Sequence, residues 1–202
     1  MPYGRARNYH VMKRIIIVHQ WMAGAEGDWR PWLSSELEKQ GHEVIVPEMP
    51  DIDTPIIERW VNHLASIAGI PDKNTYFIGH SIGCQAILRY LETIQSPVGG
   101  AIFVAGWFDL TYVENDEVRA IAEPWIKTPI NFEKIANVLP KSVAILSDND
   151  IYVSFNNASA IFEKQLHSKV IILHNAGHIT AEDGFTTLPE IINQLNLLTQ
   201  IS

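Results

Sequence analysis

A serine set between two glycines is the residue of this sequence most suited to chemistry. The segment Gly79-His80-Ser81-Ile82-Gly83 fits the pattern G-x-S-x-G, in which a sharp strand-to-helix turn lifts a serine hydroxyl out of a sheet. A strand-like run, Thr75–Gly79, precedes the serine, and a helical pattern begins at Ile82. Glycine-rich turns also bind phosphate, but this one has neither a Walker lysine nor a G-x-G-x-x-G. The pattern predicts that Ser81 is a nucleophile.

A serine hydroxyl needs a general base, and the base needs an acid that orients it. Asp150 follows the fifth predicted strand and His178 follows the sixth. These are carboxyl ends of strands, the sheet edge where ligands bind. The chain order Ser, Asp, His is that of α/β-hydrolases. We therefore predict His178 as the base and Asp150 as the acid, with Asp148 and Asp109 as the alternative acids.

Acyl transfer by such a serine also needs hydrogen-bond donors for the developing oxyanion. One predicted donor is the backbone N–H of Ile82, which follows the nucleophile. The second is expected from the loop after the first strand, where Trp21 is the first candidate and Gln20 the next. His19 is interpreted as a residue that supports this loop rather than as a catalytic one.

Six short apolar runs predict the strands that position these residues. Runs without polar alternation are typical of parallel strands covered on both faces. They alternate with stretches in which apolar residues recur at three- and four-residue spacing, as in core-facing helices. The pattern therefore predicts a doubly wound α/β sheet with helices on both faces. The predicted strands are Arg14–His19, Glu43–Val46, Thr75–Gly79, Gly100–Val104, Val143–Ser147 and Lys169–Leu173.

The connection from Ala105 to Ser142 is longer than a simple crossover needs. It has two interpretations: a second helix with its own packing, or a lid or wall of a site. On the second interpretation Trp107, Phe108 and Trp125 contact substrate. The same aromatic residues, if exposed, would instead suit a protein partner.

Length and composition indicate an ordinary globular domain. The chain has 202 residues, of which 47% are hydrophobic and 19% charged, so we expect a single domain over residues 13–202. Residues 1–12 are predicted to form a flexible tail, and Met12 is an alternative candidate for the first residue.

Charge and cysteine content exclude several function classes. The net charge of −8 disfavours nucleic-acid binding, because an acidic surface repels phosphates. One cysteine excludes an internal disulfide and a cysteine-rich zinc site. The apolar run Ile15–Val18 is too short for a signal-peptide core or a membrane span. We expect a cytoplasmic protein that needs no metal or organic cofactor and acts on a small-molecule ester, with a protein partner as a further possibility.

Taken together, these segments resemble the small serine hydrolases grouped around YdeN and retinoblastoma-binding protein nine, from about Arg14 to Leu195. The resemblance is carried by Asp28-Trp29-Arg30-Pro31-Trp32-Leu33, Pro47-Glu48-Met49-Pro50-Asp51, Gly79-His80-Ser81-Ile82-Gly83, Asp148–Asp150 and Ala176-Gly177-His178. It implies a compact α/β-hydrolase fold with a reduced sheet of about six strands and a minimal cap. The resemblance also assigns the triad to Ser81, Asp150 and His178.

The sequence departs from the family pattern at two positions. Gln20 stands where the family usually has the glycine of an HG pair, and Ser154 stands where a proline often follows the acid loop. A side chain at position 20 would narrow the site or redirect the second oxyanion donor. The predicted function is hydrolysis of carboxylic esters of small or medium acyl groups through an acyl-enzyme. The alternatives are a thioesterase or amidase with the same triad, and a protein-interaction module that keeps the fold but has little turnover.

Overall fold

The structure of this chain, a computed structural model, describes residues 11–200. All six predicted strands are present, with bounds that differ from the predicted ones by at most one residue. They are β1 (Arg14–Val18), β2 (Glu43–Ile45), β3 (Thr75–His80), β4 (Gly100–Val104), β5 (Ser142–Ser147) and β6 (Lys169–Leu173). Most of the expected tail, residues 1–12, lies outside the described residues.

The strands form one parallel sheet in the order β2-β1-β3-β4-β5-β6. Its direction of winding reverses at β1 and β3, which are adjacent although β2 lies between them in the chain. Loops after these two strands therefore face one another at the carboxyl edge, the place where doubly wound sheets bind ligands. The helices are α1 (Arg30–Lys39), α2 (Ile57–Ala68), α3 (Ile82–Leu91), α4 (Asp116–Lys127), α5 (Phe132–Val138), α6 (Phe155–Leu166) and α7 (Pro189–Gln200).

Helices cover both faces of the sheet, so the chain has two hydrophobic cores. Successive side chains of a strand point to opposite faces. In β1 this places Ile16 and Val18 in the core under α2, α3, α5 and α6. Ile15 and Ile17 lie in the other core, under α1 and α7. Both faces being buried explains why these strands read as continuous apolar runs, and the predicted doubly wound α/β fold is confirmed.

The long connection between β4 and β5 contains two helices, α4 and α5. Helix α4 begins with the side chain of Asn115 accepting a hydrogen bond from the Val118 N–H at 2.9 Å, as helix caps do. The connection is tied to α3 because Arg89 donates to the carbonyls of Trp125 and Thr128 at 2.8 and 2.9 Å. Within residues 11–200, no helix is long and apolar enough to cross a membrane.

Candidate active site

The turn that carries Ser81 has the strained geometry expected between β3 and α3. Ser81 has φ 53° and ψ −119°, a conformation that non-glycine residues rarely adopt. A Cβ at Gly79 would lie 2.8 Å from the backbone nitrogen of Cys84, and a Cβ at Gly83 would lie 2.4 Å from the carbonyl oxygen of Val18. Both contacts are with backbone, which cannot move aside, so each position accepts glycine only.

The Ser81 hydroxyl opens into a cavity of about 740 Å³. Its oxygen accepts a hydrogen bond from the indole Nε1 of Trp107 at 3.2 Å. Trp107 follows β4 and is 2% exposed. Ser81, Trp107 and His178 all line this cavity.

His178 is held by Asp150. The distance from His178 Nδ1 to Asp150 Oδ2 is 2.7 Å, and the Asp150 side chain is 2% exposed. The other carboxylate oxygen, Oδ1, accepts hydrogen bonds from the N–H groups of Tyr152 and Val153 at 2.9 and 3.2 Å. The carboxylate is therefore fixed on both sides, and it favours the His178 tautomer with its proton on Nδ1. In that tautomer Nε2 is left as the acceptor.

The two alternative acids do not reach His178. Asp148 lies 2.5 Å from His174 at the exposed end of the same loop, and this hydrogen bond lowers the pKa of Asp148. Asp109 accepts a hydrogen bond from the neighbouring Leu110 N–H at 2.9 Å. Asp150 is the acid that the fold brings to His178.

A loop locked by Asp183 carries His178. The Asp183 carboxylate accepts hydrogen bonds from the N–H of His178 at 2.9 Å and from both the N–H and the hydroxyl of Thr180. Gly177 has φ 55°, and a Cβ there would lie 2.0 Å from Asp183 Oδ1, so only glycine allows this contact. No sequence motif pointed to Asp183, because its role depends on the fold of the loop.

His80, the variable residue of the G-x-S-x-G pattern, supports the same loop from beneath. Its Nε2 is 2.9 Å from the carbonyl oxygen of His178, and the two rings stack with centroids 5.5 Å apart. Burial lowers the pKa of His80 well below 6.5, with further lowering from His178 and Arg30. Because Arg30, paired with Asp28 at 3.0 Å, lies 3.5 Å from His80 Nδ1, Nδ1 accepts and Nε2–H donates. In the sequence, the Asp28-Trp29-Arg30 segment stood out, but nothing in the sequence showed that it contacts His80.

The loop after β1 is fixed by His19, which is fully buried. His19 Nδ1 lies 2.7 Å from the Gln20 carbonyl oxygen, and Nε2 accepts from the Met49 N–H at 3.0 Å. Burial lowers the pKa of His19, which agrees with a neutral, supporting ring. Because a trans peptide is planar, the Trp21 N–H points away from the Gln20 carbonyl and hence from His19. The Trp21 indole donates to the Asp53 carbonyl at 3.1 Å.

Gln20 and Trp21 both line the cavity beside Ser81. Gln20 Oε1 is buried and has no hydrogen-bond partner among the described residues. Ile82 is the first residue of α3, and first-turn N–H groups of a helix have no partner within it. The positive end of α3 therefore adjoins the serine and favours negative charge there.

The three aromatic residues predicted to contact substrate have different positions. Trp107 lines the cavity. Phe108 packs against Phe132 and Phe162, and the indole of Trp125 donates to the Pro55 carbonyl at 2.9 Å in the core. Neither Phe108 nor Trp125 is among the lining residues, so the structure does not support a substrate contact for them.

Of the aromatic residues from Trp107 to Trp125 considered for a protein partner, Trp107 and Trp125 are buried, at 2% and 1% exposure, whereas Tyr112 is 50% exposed. The long connection nevertheless forms one wall of the cavity, before and at the start of α4. The residues that it contributes besides Trp107 are Leu110, Tyr112, Val113, Glu114 and Val118. The first part of the connection is therefore a wall of the cavity, and the later part, with Trp125, packs into the core.

Carboxylates give the cavity its charge. Its lining contains Asp28, Glu114, Glu182 and Asp183, and no lysine or arginine is among its lining residues. Burial raises the pKa of Tyr152, and the nearby Glu114 raises it further. No group of three or more His, Cys, Asp or Glu side chains within the described part of the chain is placed to hold a metal ion.

Comparison with known proteins identifies the family of this chain. Residues 15–197 match the sequence profile of the family described as serine hydrolase. The chain belongs to the serine hydrolase family. This serine hydrolase is 28% identical to YdeN of Bacillus subtilis over 185 residues, which are 91% of this chain and 94% of YdeN. It is 26% identical to the serine hydrolase RBBP9 of Rattus norvegicus over 151 residues, 74% of this chain and 77% of that protein.

Solved structures show the same fold. The crystal structure of the ydeN gene product from B. subtilis matches this serine hydrolase with a TM-score of 0.85 at 27% identity, over 94% of this chain and 100% of that one. Est1E from Butyrivibrio proteoclasticus matches with a TM-score of 0.68 at 16% identity, over 96% and 90%. The resemblance to the YdeN family is confirmed, and the protein is a hydrolase with an α/β-hydrolase fold.

Proposed function

We propose that this serine hydrolase cleaves carboxylic esters of small or medium acyl groups through Ser81, His178 and Asp150. The observation that carries the proposal is the 2.7 Å contact between His178 Nδ1 and the buried Asp150 carboxylate, in a cavity that also holds Ser81 at its strained turn. A base of fixed tautomer that lines the same cavity as the serine supports acyl transfer by this pair.

In the acylation half-reaction, the Ser81 Oγ lone pair forms a bond to the ester carbonyl carbon while the hydroxyl proton passes to His178 Nε2. Asp150 stabilises the imidazolium that results. The N–H groups of Ile82 and Trp21 are the proposed oxyanion donors, with Gln20 next to Trp21 in the cavity lining. When the tetrahedral intermediate collapses, the bond to the alcohol oxygen breaks and His178 returns the proton to that oxygen.

Deacylation repeats these steps with water. His178 Nε2 takes a proton from the water as its oxygen attacks the acyl carbon, and Ser81 Oγ leaves with the proton that His178 then gives back. The products are the carboxylic acid and the free enzyme. Every proton moves between Ser81, His178, water and substrate, so the proposed reaction needs no cofactor.

The cavity supports the choice of substrate size. A volume of about 740 Å³ lies within the range of small-molecule sites, about 300–1,000 Å³. Est1E, which has the same fold, is the subject of a structure with bound ferulic acid, and a further match belongs to a study of carboxylesterases. These likenesses favour an ester but leave thioesters and amides as alternatives, since one triad serves all three.

A fluorophosphonate probe tests the proposed nucleophile. The wild-type protein is expected to be labelled at one site, and Ser81→Ala is expected to abolish labelling while keeping the far-UV circular dichroism of the fold. Cys84 is the matched control: burial raises the pKa of its thiol, so Cys84→Ala should label like the wild type. Absence of wild-type labelling, or equal labelling of Ser81→Ala, would show that the serine is not the nucleophile.

A panel of acyl substrates then separates ester hydrolysis from thioester hydrolysis, amide hydrolysis and a protein-interaction role. Acetyl and butyryl esters, matched thioesters and anilides are compared by kcat/KM, and the esters are expected to give the highest values. Turnover of none of them by correctly folded protein would favour the interaction module. The cytoplasmic location expected from the sequence stays a prediction.

A further inference from the structure

The nucleophile has a hydrogen-bond donor that the three proposed triad residues do not include. Trp107 Nε1 lies 3.2 Å from Ser81 Oγ, and among the described residues it is the only side chain hydrogen-bonded to that oxygen. Trp107 was expected to contact substrate, but its polar atom instead meets the reacting atom of the enzyme. At 2% exposure, its N–H has little access to water as a competing acceptor.

The backbone of Trp107 is held by a buried polar relay from α3. Gln85 Nε2 donates to the Trp107 carbonyl at 3.1 Å, and Gln85 Oε1 accepts from Arg89 at 3.1 Å. Both relay residues are buried. Arg89 in turn binds the carbonyls of Trp125 and Thr128 in the long connection. The relay therefore joins the segment after β4 to both α3 and the end of α4.

The residues before Trp107 also restrict its position. Ala105 has φ 47°, in the left-handed region that non-glycine residues rarely adopt. A Cβ at Gly106 would lie 2.8 Å from the Phe162 ring and 3.1 Å from the Cys84 side chain. The chain thus passes α3 and α6 at close range, and the indole is presented to Ser81 by a fixed backbone.

A donor at this place suits the chemistry of a serine nucleophile. A hydroxyl has one proton and two lone pairs. If the indole N–H occupies one lone pair, the proton is left for His178 Nε2 and the second lone pair for the carbonyl carbon. Hydrogen bonds to charged oxygens are stronger than those to neutral ones, so the N–H stabilises Oγ as it loses its proton, and again when Oγ leaves the acyl carbon. The indole keeps its own proton throughout.

We infer that Trp107 is a further catalytic residue, whose indole N–H orients Ser81 Oγ and stabilises the negative charge that develops on it. This inference rests on the proposed function, because it requires Ser81 to be the nucleophile. It also gives a physical role to the Gln85–Arg89 relay, which keeps the indole in place.

The decisive variant is Trp107→Phe, which removes the N–H and keeps an aromatic ring. Trp125→Phe is the matched control, because it also removes one buried indole donor, here to the Pro55 carbonyl, away from the cavity. It keeps an aromatic ring and the backbone carbonyl that Arg89 binds. We measure the second-order rate constant for fluorophosphonate labelling, kcat and KM for p-nitrophenyl acetate, and the melting temperature of each variant.

Trp107→Phe is expected to slow labelling and to lower kcat about tenfold, the effect of losing one hydrogen bond to an oxygen that becomes charged, with KM changed less than about twofold. Trp125→Phe should keep the wild-type labelling rate, although its melting temperature falls. The pH midpoint of labelling should be the same in wild type and Trp107→Phe, because the His178–Asp150 pair is intact.

Three results would overturn the inference: wild-type or faster labelling by Trp107→Phe, equal slowing by Trp125→Phe, or a shifted pH midpoint in Trp107→Phe. Each differs from failure of the proposed function, in which the wild-type protein itself is not labelled. If Trp107→Phe does not fold, Gln85→Leu, which leaves the indole in the protein but removes the bond to its carbonyl, is expected to slow labelling severalfold. An unchanged rate in that variant would also count against the inference.

Discussion

Replacing Asp150 by asparagine tests how the acid acts, because the structure fixes how the new amide would lie. Asp150 Oδ1 accepts hydrogen bonds from the N–H groups of Tyr152 and Val153, so the asparagine oxygen takes that place. The amide NH₂ then faces His178 Nδ1, which lies 2.7 Å from Oδ2 in the wild type. Nδ1 must therefore accept, and the ring proton moves to Nε2.

With its proton on Nε2, His178 cannot take the proton of Ser81. The same change in serine-protease triads lowers kcat about 10⁴-fold, or about 5 kcal/mol at 1.36 kcal/mol for each factor of ten. We expect a loss of this size in kcat for p-nitrophenyl acetate. KM should change little, because the shape of the cavity is kept.

Asp148→Asn is the matched control from the same loop. Asp148 pairs with His174 near the surface and not with His178, so the kcat of this variant should stay within about fivefold of the wild type. Loss of the exposed pair should lower the free energy of unfolding by at most about 1 kcal/mol. Circular dichroism and the melting temperature establish that both variants are folded. If Asp150→Asn loses less than about tenfold, or if Asp148→Asn loses more than Asp150→Asn, the assignment of the acid is refuted.

Two further predictions concern charge. His80 stays neutral in the folded protein because burial lowers its pKa. In the unfolded chain the same side chain binds a proton below about pH 6.5. Lowering the pH from 7.5 to 5.5 should therefore reduce the free energy of unfolding by about 1.4 kcal/mol through His80 alone. Urea titrations should show that His80→Gln loses this share of the pH dependence, and an unchanged dependence would contradict it. Second, since Glu114 and Glu182 line the cavity, a p-nitrophenyl ester of succinate should have a kcat/KM about fivefold below that of the acetate, because two like unit charges about 4 Å apart in water repel by about 1 kcal/mol. Glu114→Gln/Glu182→Gln should reduce that difference, and equal discrimination by this variant would show that the glutamates are not its cause.

The roles of the cavity glutamates and of His80 illustrate how the fold adds to a motif. G-x-S-x-G locates a serine in the chain but carries no information on the charge of the cavity around it. The charge of the cavity depends on Glu114 from the long connection and Glu182 from the loop after β6, which are distant in sequence. The charge of the cavity is therefore set by loops that only the folded sheet brings together.

Sequence alone was sufficient for the strands and for the turn that carries Ser81. The four inner strands are covered on both faces and are therefore continuous apolar runs. The edge strands β2 and β6 are only partly buried but also contain short apolar runs, so each of the six was visible as a local pattern. Gly79 and Gly83 were equally visible, because the close approach of backbone to backbone at Ser81 excludes every other residue there. Position after a strand also predicted that Asp150 and His178 lie near one another, since parallel strands all end at one edge, and the two side chains are in contact.

Tertiary structure decided what depends on contacts between distant segments. Trp107, Phe108 and Trp125 are similar in type and lie in one connection, yet one meets Ser81 and the others pack into the core. The aromatic side chains carry no local sign of which way the backbone turns. Likewise Asp148 and Asp150 differ by two residues, and only the path of their loop determines that Asp150 is buried against His178. Local sequence sets what a segment can form, whereas packing against the rest of the chain sets which of its side chains reach the site.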